Sequence, residues 1–435
     1  MGETIKIDVN HITRVEGHGD IKIDVENGVV KECKLEIVEA PRFFEAMLRG
    51  RHYSEAAIIT SRICGICSVG HQLASVRATE DAFGIELTKQ NRQLKTLLDM
   101  GQYFESHVLH IYFLAVPDFV GAQSVFPLIS THKEVVLSAL KLKKLGHDIG
   151  DMIAGRLVHP IGIIPGGFTK MPTVERLEEI LGRIKDARGE LLNGVALIKT
   201  LTLPDFTRET EYISMYKKGE YAFIDGNIFS SDKGEVSYKD YRKVTNEYLV
   251  PHSTAKRAKF SRNSYMVGAL ARFNNNYEWL SDTAKTVAED IGIKPICYNP
   301  YLNTVAQMIE LVHIIDECES IIEDMLNSGL KVEEPVKPVL KKCTGIGAVE
   351  VPRGILFHEY TFDEEGYITE ANCVIPTGQN LQNIEDDMKA IVPVALGNRT
   401  REELTLDMEM LVRAYDPCIS CSCHLLDVEF INDNK

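Results

Sequence analysis

The chain has 435 residues, and its 63 acidic residues outnumber its 48 basic ones, for a formal net charge of −15. Its hydrophobic fraction of 44% and charged fraction of 26% are typical of a folded globular protein and exclude a disordered or collagen-like chain. The acidic balance argues against a nucleic-acid-binding protein. The sequence has no apolar run of the roughly 18 residues that a membrane span needs and no signal-peptide pattern, so we expect a cytoplasmic protein.

Alternating apolar residues predict β-strands at the N-terminus. Ile5, Ile7 and Val9 alternate with polar residues, and the same alternation recurs over residues 21–25. Asn27-Gly28 then predicts a hairpin turn, because both of its positions need a positive φ.

Helical periodicity dominates the next part of the chain. One long helix is predicted from about residue 94 to its end at Pro117. A second is predicted to begin at the capping box formed by Thr131 and Glu134, and a third at the cap residue Thr173. A fourth is predicted over about 302–326.

These patterns predict an α+β fold that is mainly α, in which a bundle of long helices forms the core and β-hairpins lie at its periphery. Strands return near residues 355–374. The chain is expected to be a single subunit with the following segments: an N-terminal β region (1–55), a helical core (56–200), a polar hairpin and loop insertion (203–262), a second part of the helical core (263–330), a β and loop region with a metal-binding segment (331–424) and a C-terminal tail (425–435).

Two C-x-x-C pairs at opposite ends of the chain stand out among the ten cysteines. Cys64 and Cys67 precede a helical segment, and Cys418 and Cys421 lie close to the C-terminus. Four thiolates suffice for a closed zinc site, and they also suit iron–sulfur or nickel–iron chemistry. The spacing alone leaves structural zinc and a catalytic metal open, although zinc ribbons usually place their pairs within about 20 residues of each other.

The cysteine motifs resemble the paired signatures of the large subunit of [NiFe] hydrogenases. The resemblance rests on Arg62-Ile63-Cys64-Gly65-Ile66-Cys67 with His71, and on Asp416-Pro417-Cys418-Ile419-Ser420-Cys421 with His424. Four further motifs are similar to those of the family: Thr13-Arg14-Val15-Glu16-Gly17-His18, Arg42-Phe43-Phe44-Glu45, Pro352-Arg353-Gly354 and Val374-Ile375-Pro376-Thr377.

This resemblance implies a catalytic subunit that cleaves H2 reversibly and heterolytically into protons and electrons. Nickel is expected on all four thiolates, with Cys64 and Cys418 as terminal ligands. Cys67 and Cys421 are expected to bridge nickel to an iron that carries CO and cyanide. Soft thiolate sulfur suits such a centre.

The resemblance also assigns roles beside the metals. Glu16 resembles the glutamate that takes a proton from the terminal cysteine, here Cys418. Arg353 resembles the arginine that faces the open metal position, with Asp118 or Asp416 as its ion-pair partner. From position alone, a surface or N-terminal salt bridge is the favoured interpretation of Glu16. The alternative for Arg353 is an ordinary ion pair.

Three more residues are expected around the iron. Thr377 resembles the residue that hydrogen-bonds an iron cyanide, and Pro376 precedes it in the same motif. His71 is expected to donate towards a bridging sulfur, although a histidine with an ordinary partner in a helix is an equally simple interpretation.

A second, hard metal is implied as well. Glu45, His424 and the backbone carbonyl of Cys373 match the family's site for magnesium, a metal that is sometimes assigned as iron instead. Cys423 departs from the family pattern, and we interpret it as a thiol without a ligand role.

The subclass follows from Glu39-Ala40-Pro41-Arg42 and Pro117-Asp118-Phe119, which look most like the cytosolic bidirectional enzymes, including sulfhydrogenases, that couple H2 to NAD(P) or another soluble carrier. The chain lacks a glycine-rich dinucleotide fingerprint and further cysteine clusters. Electrons are therefore expected to leave through a small iron–sulfur subunit, with flavin or NAD(P) bound by further partners. The alternatives are a non-catalytic subunit of a quinone-reducing respiratory complex and a structural zinc protein.

The C-terminal tail carries one more expectation. In the family, a maturation endopeptidase cuts just after the histidine that matches His424, and this chain continues to Lys435. Residues 425–435 are therefore expected to be a removable propeptide.

Overall fold

Sheets of two to four strands surround a bundle of long helices in the computed structural model, which describes residues 4–423. The expectations on His424 and on the 425–435 tail lie outside the described residues. The mainly helical α+β fold is confirmed, whereas the predicted segment boundaries remain predictions. No helix in the described range is long and apolar enough to cross a membrane.

The helices are as follows. The α-helices comprise Phe44–Leu48, Tyr53–Thr60, Ser68–Phe83, Lys89–Val108, Val116–Phe119, Val125–Thr131, Lys133–Ala154, Val174–Ile198, Tyr241–Thr245, Ala269–Asn276, Asp282–Ile291, Asn303–Ser328, Pro376–Ala395, Arg401–Ala414 and Ile419–Ser422. Leu109–Ala115 is π-helical. Short 3₁₀ turns span Ser61–Ile63, Tyr238–Asp240, Tyr277–Trp279 and Pro300–Leu302.

The strands form antiparallel sheets with one parallel pair. Ile5–Val9, Gly19–Glu26 and Val29–Ile37 form an N-terminal sheet in that order. Cys343–Val351, Gly354–Phe362 and Ile368–Val374 form a second meander. Ile163–Ile164 pairs with Gly167–Phe168, and the remaining sheet has the order Gly234–Val236, Asn227–Ser230, Glu211–Tyr216 and Tyr265–Met266, in which the last two are parallel.

The predicted N-terminal hairpin is confirmed. Asn27 and Gly28 connect the strands Gly19–Glu26 and Val29–Ile37 with φ values of 53° and 78°. The left-handed conformation at both positions is the reason for this residue pair, since asparagine and glycine adopt it at low cost.

The predicted long helix is interrupted, and its end was predicted wrongly. It is α-helical only over Lys89–Val108, and the chain then widens into the π-helix Leu109–Ala115. Pro117 does not end it but lies in the first turn of Val116–Phe119, where a missing N–H costs nothing. π-Helical turns are rare and are often found at functional sites.

One predicted helix start was wrong, and another predicted start is confirmed. Thr131 is the last residue of Val125–Thr131, and its hydroxyl contacts the carbonyl of Pro127 instead of capping the following helix. That helix begins at Lys133 without a side-chain cap. Thr173, in contrast, accepts the N–H of Arg176 and caps Val174–Ile198 as predicted.

The strand Cys343–Val351 was not predicted, and it determines where two site residues lie. It packs along the helix Ser68–Phe83, whose N-cap is Cys67, and its hairpin turn carries Arg353. The backbones come unusually close: a Cβ at Gly347 would lie 2.0 Å from the carbonyl oxygen of Ala74. Only glycine allows this approach.

Gly347→Ala should therefore lower the thermal unfolding midpoint, because the added methyl group must push the strand away from the helix. Overpacking of this kind costs about 1–3 kcal/mol. Gly182→Ala is the matched control, since its Cβ would meet nothing within 4 Å in the helix Val174–Ile198. The control should be neutral or stabilising by about 0.5–1 kcal/mol. Equal midpoints for both variants would contradict the close approach.

Candidate metal centre

The two C-x-x-C pairs meet in the interior of the protein. The Sγ atoms of Cys64 and Cys418 are 3.5 Å apart, and those of Cys67 and Cys421 are 3.6 Å apart. All four sulfur atoms lie within 4.8 Å of one another, and all four residues are buried. These separations exceed a disulfide bond length of about 2.05 Å, so the cysteines are free thiols. Four converging soft donors fit a thiolate-bound metal such as nickel.

Backbone N–H groups point at the sulfur of Cys64. Cys64 follows the 3₁₀ turn Ser61–Ile63, and the N–H groups of Ile66 and Cys67 both lie 3.2 Å from its sulfur. Cys67 is the N-cap of the helix Ser68–Phe83. N–H donors of this kind favour the thiolate of Cys64 over its thiol.

Arg42 holds the two cysteine segments together. Its guanidinium donates to the carbonyl of Ile63, beside the first pair, at 2.7 Å, and to the carbonyl of Ser420, beside the second. Its backbone N–H also donates to the carbonyl of Cys423 at 2.9 Å. Arg42 is part of a motif in the sequence, but the spacing of that motif did not indicate that Arg42 hydrogen-bonds to both cysteine segments.

Burial and mutual hydrogen bonding divide the protons unequally among the thiols. Burial raises the pKa values of Cys418 and Cys421 well above the ordinary value for cysteine. Hydrogen bonds with Cys418 and the other two thiols lower the pKa of Cys64 well below that value. The pKa of Cys67 is also raised, so loading a metal onto all four sulfurs must release protons from these thiols.

Glu16 lies against the second cysteine pair. Its Oε2 is 3.1 Å from the Sγ of Cys418 and 3.1 Å from the N–H of Ser420, and its backbone carbonyl accepts the N–H of Ile419. The loop can come this close because the next residue is Gly17, at φ 84°, where a Cβ would lie 2.8 Å from Ile419. The structure thus brings the predicted pair Glu16 and Cys418 together.

Arg353 pairs with Asp416 and not with Asp118. Its Nη2 lies 2.8 Å from the Oδ1 of Asp416, and its Nε donates to the backbone carbonyl of Asp416 at 2.6 Å. Asp118 instead binds Arg413 at 2.7 and 3.0 Å and also contacts Arg14. Of the two partners left open by the sequence, the structure therefore selects Asp416.

The positive charge of Arg353 is strongly stabilised. Burial alone would lower its pKa, but the carboxylate of Asp416 and the nearby thiols of Cys418, Cys67 and Cys64 raise it well above the ordinary value for arginine. A permanent cation therefore faces the cysteine cluster from inside the protein.

The remaining residues predicted around the iron lie on two different helices. Thr377 accepts the N–H of Cys418 at 3.1 Å, and Pro376 is the first residue of its helix, Pro376–Ala395. His71 lies one turn after Cys67, and its Nδ1 is 3.2 Å from the Nε2 of His358. Donation from His71 to a bridging sulfur stays a prediction.

Two of the three expected magnesium ligands lie next to each other. The carboxylate of Glu45 accepts the N–H of Cys373 at 2.7 Å, and both residues are buried. The ammonium group of Lys256 lies 4.0 Å from the same carboxylate. His424, the third ligand, lies outside the part of the chain that the structure describes. Cys423 contacts the hydroxyl of Thr254, at 3.5 Å from its sulfur.

Several site residues were not predicted from the sequence. Gln307 donates to Asp416 at 3.1 Å, and the hydroxyl of Ser106 lies 3.3 Å from Arg353. His110 contacts Gln307. The available signal was the occurrence of polar residues at buried positions of three helical segments, and cysteine motifs do not reveal this signal.

Comparison with known proteins agrees with this geometry. The sequence profile described as nickel-dependent hydrogenase matches residues 42–135 and 213–424, and a profile described as HoxL-like matches residues 6–40. The alpha subunit of sulfhydrogenase 1 from Pyrococcus furiosus is 33% identical over 428 residues, covering 97% of this chain and 98% of that protein. The alpha subunit of sulfhydrogenase 2 from the same organism is 33% identical over 421 residues, covering 97% and 99%.

Comparison with a solved structure shows that the similarity includes the fold. The NAD+-reducing [NiFe]-hydrogenase in the H2-reduced state superposes with a TM-score of 0.88 at 26% identity, covering 97% of this chain and 99% of that chain. The chain therefore belongs to the nickel-dependent hydrogenase family, in which it is a catalytic large subunit. Its activity is that of an oxidoreductase acting on H2, which sets aside the structural zinc and non-catalytic alternatives.

Cys421→Ser should reduce the nickel content of the purified protein at least ~10-fold, because even the hydrogen-bond partners of metal ligands change affinity by about 10–100-fold. H2 turnover should be lost with it. Cys343→Ser is the matched control, since Cys343 is a free cysteine on the strand Cys343–Val351, outside the cluster. Metal analysis that finds normal nickel in Cys421→Ser would refute the role of this sulfur.

Proposed function

We propose that this chain is the H2-cleaving subunit of a heteromeric hydrogenase and that Cys64, Cys67, Cys418 and Cys421 hold its nickel–iron centre. The observation that supports this most directly is the convergence of four buried sulfur atoms within 4.8 Å. Cys64 and Cys418 would be the terminal nickel ligands, and Cys67 and Cys421 would bridge to an iron carrying CO and cyanide. When bound, such a centre supplies heterolytic cleavage of H2.

The proton would leave by way of Cys418 and Glu16. The sulfur of Cys418 is the one in the cluster that lies within contact distance of the carboxylate of Glu16. The carboxylate of Glu16, 3.1 Å away and half-buried, is the acceptor within direct reach. A proton held on the sulfur of Cys418 can therefore pass to Glu16 in one step.

Arg353 would act through its charge. Its guanidinium is buried, and Asp416 holds it in place with two hydrogen bonds. A fixed cation in a site without water stabilises negative charge that develops on reacting atoms much more strongly than it would in water.

The groups around the iron and the second metal complete the proposal. The hydroxyl of Thr377 accepts the N–H of Cys418 and retains its own hydrogen, which can be donated to an iron-bound cyanide. His71 would orient a bridging sulfur. Glu45, the Cys373 carbonyl and His424 would hold magnesium, and the proximity of Glu45 to Cys373 supports two of these ligands.

Electrons would pass first to a small partner that carries iron–sulfur clusters, and then to a soluble acceptor such as NAD(P), bound with flavin by further subunits. The support is that similar proteins are named as alpha subunits of sulfhydrogenases and that a similar structure is named NAD+-reducing. A cytoplasmic location fits the ten cysteines, which form no disulfide in the described part of the chain, since disulfides are rare there. Processing by an endopeptidase after His424 remains part of the proposal.

Glu16→Gln should lower H2 production by ~10²–10⁴-fold, because the amide keeps the shape of the side chain but cannot take up a proton. Conversion between para- and ortho-H2, which needs no proton release to solvent, should be largely retained. Glu36→Gln in the N-terminal sheet is the control, since Glu36 pairs only with Lys22 among its described ion pairs. Unimpaired H2 production by Glu16→Gln would assign Glu16 a purely structural role.

The proposed acceptor is tested with the complex as it is isolated from its source. H2-dependent reduction of NAD+ or NADP+ should require the partner subunits, whereas H2/D2O isotope exchange should persist in a preparation that lacks the nucleotide-binding partner. A complex without any flavin or nucleotide site, or one that leaves both nucleotides oxidised under H2, would contradict the NAD(P) assignment without affecting the metal site.

A further inference from the structure

Asp416, the residue that holds Arg353, is itself held from its other side. Its Oδ1 faces Arg353, and its Oδ2 accepts the side-chain amide of Gln307 at 3.1 Å. Its backbone has a φ of 52°, a conformation that non-glycine residues adopt only when their surroundings enforce it. Asp416 is thus fixed by contacts from two different parts of the chain.

The carboxylate determines which way the amide of Gln307 points. A carboxylate oxygen accepts hydrogen bonds, so the NH2 end of Gln307 must face Asp416 and the carbonyl end, Oε1, must face away. That Oε1 lies 2.5 Å from the Nδ1 of His110. On the other side of the same ring, the Nε2 of His110 lies 2.7 Å from the backbone carbonyl oxygen of Arg413.

Both ring nitrogens of His110 therefore face hydrogen-bond acceptors. A neutral imidazole has one N–H and would leave the lone pair of its other nitrogen against an oxygen. His110 is 1% exposed, so water cannot relieve that contact, and an unmade hydrogen bond to a buried polar group is costly. A ring protonated on both nitrogens satisfies every partner.

The surroundings can accommodate a cation at this position. The carbonyls of Arg413 and Ala414 lie at the end of the helix Arg401–Ala414, and that of Arg413 also accepts the backbone N–H of Asp416 at 2.8 Å. His110 donates to the first, and the side chain of Asn303 donates to the second at 2.9 Å. A positive charge at a helix C-terminus is favourable.

The other charged groups nearby are already paired with each other. The guanidinium of Arg413 is neutralised by Asp118 and Glu409, and the carboxylate of Asp416 lies between Arg353 and Gln307. His107, one helical turn before His110, is directed to Glu310 at 2.8 Å. The ring of His110 is carried by the π-helix Leu109–Ala115, which breaks the α-helical pattern where this contact forms.

We propose that His110 is a buried imidazolium and that His110 and Gln307 are positioning residues that hold Asp416, and through it Arg353, beside the cysteine cluster. The effect on turnover rests on the proposed function of Arg353. The protonation of His110 does not, because it follows from the hydrogen-bond partners alone.

The protonation state can be measured by NMR on the full-length chain labelled with ¹⁵N-histidine, in neutral buffer. One ring should show the signals of a doubly protonated imidazole that disappear in His110→Gln. The same ring should become a neutral imidazole in Gln307→Met, since its acceptor at Nδ1 is removed. A neutral His110 ring in the unsubstituted protein would overturn the proposal, whatever the hydrogenase activity.

Turnover is measured on the nickel-loaded enzyme. Gln307→Met should lower kcat for H2 oxidation by ~10–100-fold at unchanged nickel content. Gln93→Met is the matched control, since it also removes a glutamine-to-aspartate hydrogen bond to the helix Asn303–Ser328, in this case to Asp324 at 2.6 Å. An unchanged kcat in Gln307→Met would overturn the positioning role.

Gln307→Glu provides a second test if the methionine variant does not fold. Its carboxylate can still accept from His110, so the signals of the doubly protonated ring should persist, but it places a negative charge against Asp416, so kcat should fall. Loss of those signals in this variant would contradict the proposal. Normal nickel in Cys421→Ser would refute the proposed function and leave the NMR result standing.

Discussion

The site depends on the burial of the short segment 416–423, which must carry three thiols and a carboxylate into the interior without leaving its backbone unpaired. Donors and acceptors from distant parts of the chain meet this requirement. Thr377 accepts the N–H of Cys418, Glu16 accepts that of Ser420, and Arg42 donates to the carbonyl of Cys423. Because these partners come from three separate parts of the chain, the segment can take up this position only when the surrounding fold is complete.

The same burial disfavours the charged thiolate forms of the cysteines, and fixed cations offset this effect. Burial alone favours neutral thiols, as the raised pKa values of Cys418 and Cys421 indicate. Arg353 opposes this from beside the cluster, and Asp416 keeps that arginine in place. A second pair, Arg413 with Asp118, lies further out and leaves Asp416 to Arg353. Asp118 is shared by Arg413 and Arg14, whereas Arg353 is the one arginine that pairs with Asp416 among the described ion pairs.

Much of the fold and of the metal centre could be predicted from the sequence, because the signals were local. Asn27-Gly28 specifies its hairpin through backbone conformation, and Thr173 specifies its helix start through one hydrogen bond. The cysteine pairs indicated a shared site because thiolates in that pattern bind metals.

The features that the sequence did not reveal depend on tertiary contacts. The strand Cys343–Val351 contains glycines and few alternating polar residues, since it is buried against a helix, so it has no clear two-residue period. The choice of Asp416 over Asp118 as the partner of Arg353 depends on which arginine each carboxylate reaches after folding. Thr131 has the pattern of a capping box, but the preceding turn extends through it as a helix.

The central claim is that four cysteine sulfurs from the two ends of the chain bind one nickel ion. X-ray absorption at the nickel edge of the purified, active protein tests this most directly, because it counts the atoms bound to nickel. The account predicts four sulfur neighbours per nickel, matching the four clustered thiols, with one of them lost or replaced in any nickel that Cys421→Ser retains. Nickel surrounded mainly by nitrogen and oxygen, or zinc on these sulfurs in an active preparation, would contradict it.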